Sequence, residues 1–128
     1  MTTAAVAPTS DFYCHQAIPG ITPVKVVAET DHVLAFEHTN PAHPVHVVVV
    51  PKAHTPSLVD LGVGGEELLA KVMAVVRQVA AQVEEEHGAA SVTTNVGLYQ
   101  ESRHLHFHVY HRGESEEQIL AMYGHHDD

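Results

Sequence analysis

Between positions 104 and 111 the chain reads His-Leu-His-Phe-His-Val-Tyr-His, and no other stretch limits its folding choices as much. In an extended strand successive side chains point to opposite faces. His104, His106 and His108 then share one face, and Leu105, Phe107 and Val109 share the other. The apolar face packs on a core, and the imidazoles meet a cleft or solvent. At ~3.3 Å per residue, His104 and His108 stand about 13 Å apart, too far to share one metal at ~2 Å bonds without strong bending. Two of them could share a metal with help from elsewhere. Otherwise they divide the labour: a middle imidazole serves as nucleophile, and its neighbours fix its tautomer and protonate a leaving group. A histidine of ordinary pKa ~6.5 is mostly neutral at pH 7 and suits that work.

The 128 residues suit one domain, and 45% hydrophobic residues without tryptophan imply a core of valine, leucine and alanine. Net charge is −10, which repels a phosphate polymer but leaves small phosphorylated ligands open where histidines supply local donors. A single cysteine, Cys14, excludes an intrachain disulfide. The first ten residues lack a secretion signal, and no window is apolar enough to span a bilayer, which gives a cytoplasmic expectation.

In chain order, residues 1–10 read as a mobile tail, 11–124 as one domain and 125–128 as a polar tail. Asp11 to His15 opens a short helix that ends near Pro19-Gly20. Lys25–Glu29 and His32–Glu37 form a hairpin about Thr30-Asp31. Pro41 and Pro44 break the chain before a buried strand, Val45–Val50. A long helix runs from Leu61 to Gly88, with Leu69, Val72, Met73, Val76, Val79, Ala80 and Val83 on one stripe. Ser91–Leu98 is a further strand. Ser115 and Gln118 stand in capping-box register for a short last helix.

The run from Gln100 through His104, His106, His108 and Val109 to Tyr110 resembles the signature of the histidine triad (HIT) family. A second block, Leu34 to His54 with its His-Val-Val-Val-Val-Pro-Lys-x-His, is also similar to that family. The resemblance implies an α+β, HIT-like fold: an antiparallel sheet of about five strands, one long helix and short terminal helices. It also implies a homodimer with a continuous sheet. Its ligand would be a small nucleotide or nucleoside phosphate, with no nucleic-acid polymer and no membrane as partner.

The resemblance also implies a set of roles. His106 attacks the α-phosphorus of a nucleotide derivative, and water hydrolyses the nucleotidyl-histidine. His104 orients His106, His108 lies near the phosphate and leaving group, and His46 hydrogen-bonds behind them. Gln100, Asn95, His38, Phe36 and Glu101 are the substrate-binding candidates. Catalysis needs no cofactor. The resemblance also allows a structural zinc on Asp11, Cys14, His54 and His104, with Asp11-x-x-Cys14 standing where relatives carry Cys-x-x-Cys. Two further departures bear on specificity. His38 stands where many members place a ribose-gripping aspartate, and Glu101 stands where phosphoramidate-hydrolysing relatives often have serine or threonine. The alternative functions are a non-catalytic zinc-binding protein and a nucleotide-sensing binding module.

Overall fold

The computed structural model describes residues 23–124. The expected N-terminal tail, the helix opening at Asp11 and the tail 125–128 lie outside the described residues. The elements are β1 (Val26–Glu29), β2 (Val33–Glu37), β3 (Val45–Pro51), α1 (Gly65–His87), β4 (Ser91–Thr93), a 3-10 turn (Gly97–Tyr99), β5 (Phe107–His111) and α2 (Glu116–Tyr123). The strands form one antiparallel sheet in the order β1-β2-β3-β5-β4. This is the α+β architecture expected from the sequence.

β3 lies at the centre because its valines suit burial on both faces. Val47 and Val49 pack with Val33, Ala35, Phe107 and Val109 under the α1 valines 72, 75, 76, 79 and 83. Val48 and Val50 face the other way, with Leu34 and Phe36. Each fully buried valine contributes about 1.5–2 kcal/mol of transfer free energy, so this double-sided strand anchors the sheet. The β1–β2 hairpin turns without glycine because the Thr30 hydroxyl accepts from the His32 and Val33 amides.

α1 is shorter than the expected Leu61–Gly88. Gly62 and Gly64 adopt positive φ, and the helix begins only at Gly65. It ends as expected, at Gly88, whose φ of 92° lets its amide reach the Glu84 carbonyl at 2.8 Å. The expected stripe packs on the sheet, joined by Val75, which the spacing argument omitted. α2 carries the expected capping box of Ser115 and Gln118.

Two strand expectations are corrected. The Ser91–Leu98 strand stops at Thr93 and gives way to the turn at Gly97, where φ is 68°. The triad segment is not paired as a strand from His104, since β5 begins only at Phe107. Residues 105 and 106 bond their main chain to groups outside the sheet ladder. The Leu105 amide donates to the Thr55 carbonyl at 2.6 Å, and the Thr94 hydroxyl donates to the His106 carbonyl at 2.7 Å. Those bonds replace ladder pairing.

Candidate active site

The register places Val48 opposite His108 and His46 opposite Tyr110, so the side chains of these four residues project from the sheet face turned away from α1. His38 follows Phe36 at the end of β2 and stacks on His46, with ring centroids 4.4 Å apart. His38, Asn40, Ala42, His46, Asn95, Glu101, His106 and His108 line a cavity of about 350 Å³. Six of these eight residues are expected from the sequence; Asn40 and Ala42 are not, and their backbone amides donate to His38 and His46.

The main chain decides where the ring protons sit. His106 Nδ1 lies 2.7 Å from the His104 carbonyl. A carbonyl only accepts, so Nδ1 carries the hydrogen and Nε2 of the neutral ring holds the lone pair. On the neighbouring strand the Ala42 amide donates to His46 Nδ1 at 3.1 Å. The His46 proton is therefore on Nε2, which donates to His108 Nδ1 at 2.9 Å. His108 in turn keeps its proton on Nε2. The rings of His106 and His108 meet edge to face, 5.0 Å between centroids. An acceptor at one end and a donor at the other thus adjoin in one cavity.

Burial keeps these rings neutral. Desolvation, reinforced by the surrounding imidazoles His106, His46, His38 and His43, pushes His108 down to about 4. His46 falls to about 4 as well, through desolvation and then the rings of His38 and His43. Burial lowers His106 and His38, while the negative charge of Glu101 opposes the shift in both. The ordinary value of ~6.5 assumed from sequence therefore does not hold for His106, whose neutral form persists to lower pH.

His104 departs from expectation in another way. Its ring is fully buried and does not face the cleft; its Nε2 lies 2.6 Å from the Pro51 carbonyl, to which it donates. It orients His106 through its own carbonyl. Phe36 is buried with Leu34, Val48 and Val50 on the same face of the sheet and is not among the cavity-lining residues. The Gln100 amide is committed to the Pro56 carbonyl at 2.6 Å, so Gln100 anchors the approach to the triad and is not among the cavity-lining residues. Asn95, His38 and Glu101 do line it. Of the expected zinc ligands, Asp11 and Cys14 lie outside the described residues. His54 and His104 approach edge to face, their centroids 5.5 Å apart. The His104 Nε2 bond to a carbonyl is the support a metal-ligating imidazole takes on its distal nitrogen, so this pair fits such a site.

The nitrogens of His38, His46 and His108 come within 4.8 Å of one another, close enough to suggest a second metal site. The tautomers argue against one. His38 Nδ1 accepts from the Asn40 amide at 3.0 Å, as His46 Nδ1 does from Ala42. A metal on either Nε2 would force a proton onto Nδ1, opposite a backbone N–H. The Nε2 atoms of His38, His46 and His108 therefore carry N–H groups in these tautomers.

A family model described as the HIT domain matches residues 20–115. The chain belongs to the HIT family. It is 33% identical over 88 residues to Protein HitA of Neisseria gonorrhoeae, covering 68% of this chain and 82% of that one. It is 28% identical over 89 residues to the purine nucleoside phosphoramidase of Escherichia coli (strain K12), covering 68% and 75%. Among solved structures, a histidine triad protein from Clostridium difficile superposes with a TM-score of 0.68 at 32% identity, covering 78% of this chain and 88% of that one. The α+β sheet-and-helix architecture is thus that of the HIT fold, and family membership supports a nucleotide hydrolase or transferase at that coarse level. Among the described residues no helix is long and apolar enough to cross a membrane.

Proposed function

We propose that the protein hydrolyses or transfers a nucleotidyl group, breaking a bond at the α-phosphorus of a small nucleotide derivative. The observation that carries this reading is the 2.7 Å bond from His106 Nδ1 to the His104 carbonyl, which leaves the lone pair on Nε2 in a ring that lines the cavity. That pair forms the N–P bond as the bond to the leaving group breaks, and the leaving group takes the broken bond's electrons. Positive charge then spreads over the His106 ring, where the His104 carbonyl stabilises it through Nδ1–H. Water adds to phosphorus next, the P–Nε2 electrons return to the ring, and the surplus proton goes to solvent. His108 Nε2–H and the Asn95 amide supply donors to the phosphoryl oxygens.

The same hydrogen bonds narrow the leaving group. His108 can donate a hydrogen bond but is badly placed to give its proton away. Replacement would have to come from His46 Nε2, and His46 Nδ1 has no proton of its own because it accepts from Ala42. A leaving atom must therefore depart well unaided, as in an anhydride, or be basic enough to bring its proton, as the nitrogen of a phosphoramidate is. Ordinary alkyl phosphoesters meet neither condition.

The test is a panel of nucleoside phosphoramidates, dinucleoside polyphosphates and nucleotidyl sulfates, with mass-spectrometric trapping of a nucleotidyl group on His106. We expect His106→Ala to lower turnover by at least about a thousandfold. Unchanged turnover in that variant would refute the assigned nucleophile. The rate should hold through neutral pH and fall only as acid protonates the depressed His106.

We further propose a homodimer formed through the β4 edge. Among the described residues β4 pairs with β5 on one side only, and its Val92 is 44% exposed. An unpaired edge with an exposed valine invites a second copy. Sedimentation should give twice the chain mass, and a monomer at micromolar concentration would end that proposal. A structural zinc at His54 and His104 is a separate proposal, checked by metal analysis of the purified protein before and after chelation.

A further inference from the structure

Glu101 is the one carboxylate among the side chains that line the cavity, and among the described residues no lysine or arginine accompanies it. The other polar lining groups are neutral amides and imidazoles. A site that handles a phosphoryl anion would ordinarily gather positive charge, and here the single formal charge has the same sign as the substrate. Glu101 is exposed, so it reaches the mouth of the cavity and is not sealed behind the triad. Its field nevertheless extends to both His38 and His106.

We infer that Glu101 selects substrates by the charge of the leaving group, favouring those whose departing portion carries an ammonium and rejecting those that depart as a phosphate or sulfate. This rests on the proposed attack by His106. The phosphoryl oxygens are met by His108 Nε2–H and the Asn95 amide, whose donation costs no countercharge. What extends past the phosphorus toward the mouth meets the carboxylate. A cationic tail gains an ion pair there, whereas a terminal phosphate places a second negative charge beside the first. The chain's net charge of −10 adds to that penalty at long range. The bond chemistry is that already given: P–N breaks, and the nitrogen leaves with the bonding electrons and the proton it brought.

Three nucleoside 5′-phosphoramidates with the same P–N bond test this, their leaving amines ending in an ammonium, a methyl or a carboxylate. For the wild-type protein we expect kcat/KM to fall in that order, with a spread of roughly tenfold or more at low salt. The spread should shrink as ionic strength rises toward about 0.5 M, which a merely structural role for Glu101 would not produce. Glu101→Gln should flatten the order, and Glu101→Lys should reverse it. Equal rates across the three substrates in the wild type, or an unchanged spread in Glu101→Gln, would overturn the inference while leaving the role of His106 intact. If none of the three is turned over while a dinucleoside polyphosphate is, this inference falls and the proposed function stands; if His106→Ala turns them over equally well, the proposed function falls and this inference falls with it.

Discussion

At the scale of the residue, what distinguishes this site is that backbone amides and carbonyls assign the protons, directly at His106 and His46 and through the His46 ring at His108. A histidine surrounded by histidines has no fixed tautomer of its own. Here the carbonyl of His104 holds the His106 proton on Nδ1, and the amide of Ala42 holds the His46 proton on Nε2. The 15N resonances of the rings should report this directly. His106 should appear protonated at Nδ1, and His46 and His108 at Nε2. The latter two should keep those tautomers on acidification until about pH 4, where their depressed values lie. Rapid exchange between tautomers, or midpoints near the ordinary ~6.5, would contradict the assignment. The sequence disclosed His104, His106, His108 and His46 as a set. It could not disclose which nitrogen each presents, because the deciding partners are main-chain atoms, which carry no residue-specific signal. His104 shows the cost. Its side chain was expected in the cleft, yet its carbonyl reaches the neighbouring ring while its ring supports Pro51.

At the scale of the element, the alternation of the triad fits an unbroken strand, yet only its second half pairs as one. Period-two patterning is shared by strands and by other extended segments, and only hydrogen-bond partners separate them. For residues 104–106 those partners, Thr55 and Thr94, lie outside the motif, and Thr55 is some fifty positions away. From Phe107 onward the same pattern does pair, with β3 on one side and β4 on the other. By contrast, the long helix and the Ser115 cap were legible, since helical spacing and capping are local rules. Val109 is where the ladder and the helix meet: it is fully buried, opposes Val47 and Val92, and belongs to the cluster beneath α1. Val109→Ala should cost about 2–3 kcal/mol in denaturant unfolding, because both strand neighbours and the helix are too constrained to fill the gap. A loss under about 0.5 kcal/mol would mean that β5 is not locked to α1 as described. The same variant should loosen His108, the next residue back along β5, and so reduce turnover more than its stability loss alone explains.

For the whole molecule, the histidine cluster makes stability depend on pH. In the unfolded chain His46 and His108 take up protons near the ordinary value of ~6.5, whereas in the folded protein they resist protonation down to about 4. Between those limits the unfolded state binds more protons. Stability must therefore fall as pH is lowered through that window, and level off below the folded values as far as these two groups are concerned. The upper half of the window is the informative part, because above about pH 5 the carboxylates are still largely ionised and add little of their own. Thermal unfolding followed from pH 7 to pH 5 should thus show a falling Tm. Both rings remain partly open to water, so screening keeps the slope below the full value of two protons. A variant carrying His46→Gln and His108→Gln removes both groups from the linkage while keeping polar side chains on that face of the sheet. Its Tm should fall less steeply over the same interval. If it fell as steeply as the wild type, the acid sensitivity would belong to other groups, and these two rings would not be held neutral by the fold. That result would also remove the reason for regarding His108 as a hydrogen-bond donor that keeps its proton, and with it the exclusion of alkyl phosphoesters from the substrates.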